Sequence, residues 1–194
     1  MPNTDSHVTI HMVASLDGFI ARRDGSVDWL ETSDRFEGGE TLAPEFVEAF
    51  LKTIDCYVMG ARTYETALGF EAKGFGWAYG DKPTFVLTHR ELPRTRETVE
   101  LYSGDLAQLV NERLRPTFRS IWFVGGSGVS AECLRLGLAD EVRYSILPVL
   151  IGDGIPFFGK LDKDVALHLA EVKAYESGMV ALRYEVRKTK PPGP

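Results

Sequence analysis

The chain has 194 residues, 44% of them hydrophobic, and 22 Lys and Arg against 28 Asp and Glu give a formal net charge of −6. That length suits one domain, residues 1–194 with an ordered core of about 7–188, large enough to need no disulfide staples. The acidic balance gives no support to a nucleic-acid or membrane-surface partner, no apolar run reaches membrane-span length, and MPNTDSHVTIHM lacks the parts of a signal peptide, so a cytoplasmic protein is expected.

In chain order, HVTIHMVAS (7–15) alternates loosely and is rich in β-branched residues, which predicts a strand. LDGFIARRDGSVDWL (16–30) carries two Asp-Gly pairs and reads as an irregular loop around a short extended FIA. PEFVEAFLKTID (44–55) places apolar residues at 46, 47, 50, 51 and 54, a helical stripe with Pro44 in its first turn. CYVMG (56–60) reads as a buried strand, ARTYETAL (61–68) as a helix, and FEAKGFGWAYG (70–80) as a glycine-rich loop. PTFVLT (83–88) and TVELYS (98–103) are strands. DLAQLVNERLR (105–115) is an amphipathic helix with Asp105 as cap and Gln108 in the capping-box position.

SIWFVG (120–125) is a buried strand and GVSAECLRLG (128–137) a helix with Gly137 at its end. DEVRYSILPVLIG (140–152) is a strand followed by turns. VALHLAEVKAYES (165–177) and MVALRYEVRK (179–188) form a closing hairpin, and KTKPPGP is a frayed tail. Strands and helices alternate up to residue 137, which predicts a mostly parallel sheet covered on both faces. Cys56 and Cys133 lie in apolar runs and read as small buried hydrophobes; His7, His11 and His168 lie in alternating strands and read as structural.

The chemistry concentrates where strands end. FVGGSGV passes from a strand through Gly125 and Gly126 into a helix, so backbone N–H groups and the helix dipole can meet an anion. The same glycines also suit a tight turn that merely relieves crowding. The glycine spacing of the dinucleotide fingerprint is absent. VMGARTYE repeats the pattern, with Arg62 and Thr63 in the first helical turn, and FVLTHRE ends a strand with Thr88, His89 and Arg90. Ligands of open α/β sheets sit beyond the carboxyl ends of the strands, so these three exits converge on one crevice suited to a phosphorylated dinucleotide. His89-Arg90-Glu91 reads H-x-E, but without C-x-x-C there is no zinc-deaminase site.

VASLDGFIA, VMGARTYE, FVLTHR, FVGGSGV, LADEVRYSILPVLIGDG and the closing hairpin occur in the right order across nearly the whole chain. On these stretches the chain resembles the dihydrofolate reductase-like fold family. More closely, it resembles the reductase domain of the bifunctional riboflavin-biosynthesis deaminase-reductase and its stand-alone relatives. The resemblance implies an α/β three-layer fold and an NADPH-dependent oxidoreductase. Its implied acceptor is 5-amino-6-(5-phosphoribosylamino)uracil. Carried over, Gly125, Gly126, Ser127, Gly128 and Val129, with Gly60, Arg62 and Thr63, hold the cofactor phosphates, and the Gly125–Gly126 bond is a candidate for cis. Thr88, His89 and Arg90 fall at the adenosine 2′-phosphate, and the main chain of Val13, Ala14 and Ser15 flanks the nicotinamide.

Two acids compete for the chemistry. Asp17, in SLDG, matches the riboflavin-type pattern and would orient the substrate or assist protonation. Trp29 and Asp34 match the spacing with which dihydrofolate reductases hold a pterin. Asp17 also reads as a turn-former before Gly18, and Asp34 as a loop or cap carboxylate. Ala61 stands where an arginine normally follows the glycine of the family's MGR motif, with Arg62 one place later. A dihydrofolate reductase and a non-catalytic nucleotide-binding module remain the alternatives. The resemblance further implies a homodimer, for which the closing hairpin offers a face or an edge.

Overall fold

The computed structural model describes residues 6–188, so residues 1–5 and, from residue 189 on, the expected frayed tail lie outside it. In chain order the elements are β1 (His7–Ser15), β2 (Phe19–Ala21), α1 (Pro44–Lys52), β3 (Cys56–Gly60), α2 (Ala61–Ala72), β4 (Thr84–Leu87) and β5 (Val99–Tyr102). They continue as α3 (Leu106–Gln108), a π-helical stretch (Leu109–Leu114), α4 (Arg115–Thr117), β6 (Ser120–Gly125), α5 (Ser127–Arg135), β7 (Glu141–Leu147), β8 (Ile155–Pro156), β9 (Leu167–Ala174) and β10 (Val180–Val186).

Eight strands form one sheet in the order β5-β4-β3-β6-β1-β7-β10-β9. The first six in that order pair in parallel. The last two pairings, β7 with β10 and β10 with β9, are antiparallel. Parallel strands are covered on both faces, which is why CYVMG shows four consecutive buried residues with no polar alternation. One face carries Val8, Ile10, Met12 and Phe123 against the helices from Leu106 and Ser127, the latter contributing Cys133. The other carries Ile54, Tyr57, Met59 and Val86 against α2, with Phe50 of α1 packed on it. Both cysteines are fully buried and free, and burial pushes their thiols up.

Several expected boundaries shift for identifiable reasons. α2 runs to Ala72, because Phe70–Ala72 continue its turns before Gly74 takes a φ of 89°. The helix from Asp105 is capped by its side chain, which accepts from the Gln108 N–H at 2.7 Å. The capping box does not close, since the Gln108 amide donates forward to Glu112 at 3.1 Å. β2 and β8 pair in a separate ribbon too short to leave a period in the sequence.

The apolar stripe of α1 does not become core. No residue of α1 is buried, and Phe46 and Val47 are 69% and 40% exposed. Its carboxyl end is held by Lys82, whose ammonium donates to the carbonyls of Leu51, at 2.6 Å, and Ile54.

On the α1 side of β7 and β10 the sheet carries charge. The buried Glu141 accepts from Arg143 at 2.5 Å and Arg183 at 3.2 Å, with His7 3.7 Å away. Burial opposes its charge, yet bonds from His7, Arg143 and Arg183 hold its carboxyl near 2.

Candidate functional site

The strands β3, β4 and β6 all run out into one cleft of about 1690 Å³. Its wall is built from Gly60–Thr63 at the start of α2, Thr88–Arg90 after β4, Ser103 and Gly104 after β5, and Gly126–Val129 at the start of α5. A segment from Arg23 to Gly25 borders it opposite, and Arg23 pairs with Asp153 of the turn before β8. His11, Val13, Trp122 and Val124, side by side on β1 and β6, lie at its base.

Two helix N-termini share the wall. The caps of α2 and α5 are Gly60 and Gly126, and neither has a side-chain cap. They are adjacent: a Cβ built on Gly60 would stand 3.7 Å from the Gly126 nitrogen and 3.1 Å from Val129 Cγ2. The first N–H groups of both helices are left to a ligand or water, and both dipoles favour an anion there.

The glycines of FVGGSGV divide into two kinds. Gly125 has a φ of 121°, and a Cβ on it would meet Met12 Sδ at 2.5 Å, so its reason is backbone conformation and packing. Its peptide bond to Gly126 is cis. Gly126 has a φ of −89°, and a Cβ there would meet nothing closer than Thr63 Oγ1 at 3.5 Å. Around Gly128 nothing lies within 4 Å of such a Cβ. The protein itself has room for a side chain at both, so crowding does not explain them.

Two arginines lie along the same wall. Arg62 is exposed, as is His89, and Arg90 donates to Glu65 at 2.8 Å. The Arg90 N–H donates to Thr88 Oγ1 at 2.9 Å, which shapes the exit of β4.

The structure therefore gathers Val13, Gly60, Arg62, Thr63, Thr88, His89, Arg90, Gly126, Ser127, Gly128 and Val129 into one cleft. It does not bring the remaining candidates there. Ala14 and Ser15 are fully buried, with the Ser15 hydroxyl accepting from the Phe19 N–H at 3.0 Å, and Gly125 is buried behind the turn. Trp29 is 5% exposed and its indole N–H has no partner.

Asp17 accepts from the Gly152 N–H at 2.7 Å and the Ile151 N–H at 3.2 Å. Those bonds, after a larger one from Ser15, hold its carboxyl below the usual range. Its carboxylate joins two loops. Asp34 is exposed and lies against the β9–β10 turn, where a Cβ on Gly178 would overlap its carboxylate. That placement follows from Phe36, which donates its N–H to Glu176 O at 2.8 Å, and from the Glu40–Tyr175 bridge. Asp17→Asn should loosen the Ile151–Gly152 turn, seen as faster amide exchange at those two residues with NADPH affinity unchanged.

Sequence reasoning passed over His11 and Trp122. The signal was alternation: His11 and Val13 lie two apart on β1 and therefore share a face. Burial, then the nearby Arg143, pushes the His11 imidazole down to about 4. A folded-state value below the unfolded one means that stability is present above pH 6.5 and is lost as pH falls toward 4. His7, raised chiefly by its bond to Glu141, works the other way, adding stability below pH 6.5. The His11 contribution should amount to about 2 kcal/mol between pH 7 and pH 5. Urea unfolding of wild type and His11→Phe at both pH values should show the decline shrinking by that amount in the variant.

Among the described residues no helix is long and apolar enough to cross a membrane, and no group of three or more His, Cys, Asp or Glu is placed to hold a metal ion. The family model of the RibD C-terminal domain matches residues 67–181. The protein YwjB of Bacillus subtilis is 31% identical over 168 residues, covering 86% of this chain and 90% of that protein. A crystal structure from Shewanella sp. PV-4, of a protein named for riboflavin biosynthesis, superposes with a TM-score of 0.78 at 27% identity, covering 94% of this chain and 99% of that one. Dihydrofolate reductase from Enterococcus faecalis, complexed with NADP(H) and RAB-propyl, shares the fold at a TM-score of 0.58 and 18% identity, over 97% of this chain and 100% of that one. With a mostly parallel sheet closed by an antiparallel strand pair, and a family match over more than half its length, this chain belongs to the RibD C-terminal domain family.

Proposed function

We propose that the protein is an NADPH-dependent reductase whose acceptor is of the riboflavin-precursor type, 5-amino-6-(5-phosphoribosylamino)uracil or a close relative. The observation that carries this reading is the pair of uncapped helix N-termini at Gly60 and Gly126, where Gly126 and Gly128 are glycines that the protein does not need for its own packing. The pyrophosphate would lie along Gly126–Val129 and Gly60–Thr63, where N–H groups and helix dipoles supply the charge complement. Arg62, His89 and Arg90 would hold the 2′-phosphate, and Val13 would border the nicotinamide. When bound, NADPH supplies the hydride; the chain's own work is to position the two reactants and exclude water between them.

Membership in the family and its riboflavin-type relatives support the acceptor class. That Trp29 and Asp34 do not line the cleft supports this acceptor over dihydrofolate. No step is assigned to Asp17. The test is oxidation of NADPH by the purified protein with the uracil and with dihydrofolate as acceptors: turnover of the first alone is expected, and turnover of the second alone would reverse the assignment.

Pairing of two copies belongs to the same reading. β9 is an edge strand with Leu169 and Val172 48% and 55% exposed, an apolar surface suited to a second copy. Sedimentation at micromolar concentration should give twice the 21.6 kDa chain mass.

A further inference from the structure

The base of the cleft holds a polar atom with nothing to bond. His11 lines the cleft, yet its Nδ1 has no accessible surface and no hydrogen-bond partner. Leaving such a group unpaired is unfavourable, and native structures seldom do so without a reason. The rest of the ring is well held. Nε2 lies 3.2 Å from Ser145 Oγ, and the ring stacks on Trp122 at 5.2 Å with an interplanar angle of 21°. The Trp122 indole N–H donates to the His11 carbonyl at 2.9 Å, which locks the pair.

One neighbour of this pair comes from α1. Phe50 meets His11 edge-on at 5.8 Å and Trp122 at 5.5 Å. It belongs to α1, which buries none of its residues and presents Phe46 and Val47 to solvent. The stacked pair is thus flanked by a half-buried side chain of a helix that contributes no buried residue and is held at its carboxyl end by Lys82.

We propose that His11 is a specificity-determining residue for the acceptor: the acceptor's ring enters the base of the cleft edge-on to the His11–Trp122 pair, and its polar edge supplies the missing partner of His11 Nδ1. This rests on the reductase reading and names what the site recognises, a neutral heterocycle with a cyclic-amide edge. Such an edge carries a donor N–H beside an acceptor C=O, so it satisfies Nδ1 in either neutral tautomer. A ring without polar edge atoms would leave Nδ1 unpaired, and such unpaired groups underlie strong discrimination between isosteres.

The test uses protein labelled with 15N at histidine, saturated with NADP(H), and titrated with 5,6-diaminouracil as the probe. The ring signals absent in His11→Phe identify His11 among the four histidines. The expected result is a shift of a His11 ring nitrogen on saturation with probe. His11→Phe should bind the probe about tenfold more weakly, and His11→Asn, which keeps a polar atom at the δ position, should recover most of the affinity. NADPH affinity should stay within about twofold of wild type in both variants. An unmoved His11 signal, equal probe affinity in His11→Phe, or no probe binding by the wild-type complex overturns the inference while leaving the cofactor reading intact. Failure of NADPH itself to bind removes the cofactor reading and this inference with it.

Discussion

Gly126→Val removes NADPH binding, weakening it on the order of a hundredfold or more, and leaves the fold intact. The two halves of that expectation have separate grounds. The fold survives because φ at Gly126 is −89°, open to any residue, and the nearest atoms to an added Cβ are Thr63 Oγ1 at 3.5 Å and Ile20 Cδ1 at 3.8 Å. The cofactor is lost because the added side chain occupies the space before two helix N-termini. Gly128→Ala separates the effects further. It replaces glycine inside α5, where alanine is favoured by roughly 0.5–1 kcal/mol, so the protein should melt at a higher temperature while binding NADPH less well. Gly125→Ala should do the reverse and destabilise the fold, because its φ of 121° disfavours any Cβ. Thermal melts with and without NADPH check all three. A Gly126→Val protein that binds NADPH normally would make the turn a purely structural one.

Arg62→Ala combined with Arg90→Ala should lower NADPH affinity by about a hundredfold and leave NADH nearly unchanged, since each charge-assisted bond to phosphate is worth about 1.5–3 kcal/mol. Arg62 should carry the larger share, because Arg90 already bonds to Glu65 and must exchange that partner for the phosphate. The effect should fade at high salt, as for any exposed charge contact. Parallel fluorescence titrations of both nucleotides against the double variant measure it. An equal loss of NADPH and NADH affinity would place the arginines elsewhere on the cofactor or assign them a structural role.

Local patterns in the sequence carried the sheet and much of the cleft. Buried strands such as CYVMG and SIWFVG announce themselves through unbroken apolar runs, and glycine immediately after them marks where backbone can meet a ligand. Gly60, Arg62, Thr63, Thr88–Arg90 and Gly126–Val129 cluster for that reason: each sits at a strand exit, and strand exits of a parallel sheet share one edge.

What the sequence hid depended on distant partners. The stripe of α1 has the period of a core helix, but period does not say whether anything covers it, and Phe46 stays exposed. SLDG cannot reveal that the Asp17 carboxylate is taken by Gly152, 135 positions away. The Trp29–Asp34 spacing matched a pterin site, yet the chain between Asp34 and Glu40 turns toward the closing hairpin and carries the acid away from the cleft. His11 looked like one more strand residue because its chemistry arises from burial beside Trp122 and Ser145, neither near in sequence.

Calorimetric titration of the unmodified protein with NADPH and with NADH tests the cofactor site most directly. NADPH should bind at least about tenfold more tightly than NADH, the difference arising from the contacts of Arg62, His89 and Arg90 to the 2′-phosphate. Equal affinity for the two nucleotides, or binding of neither, would contradict the account.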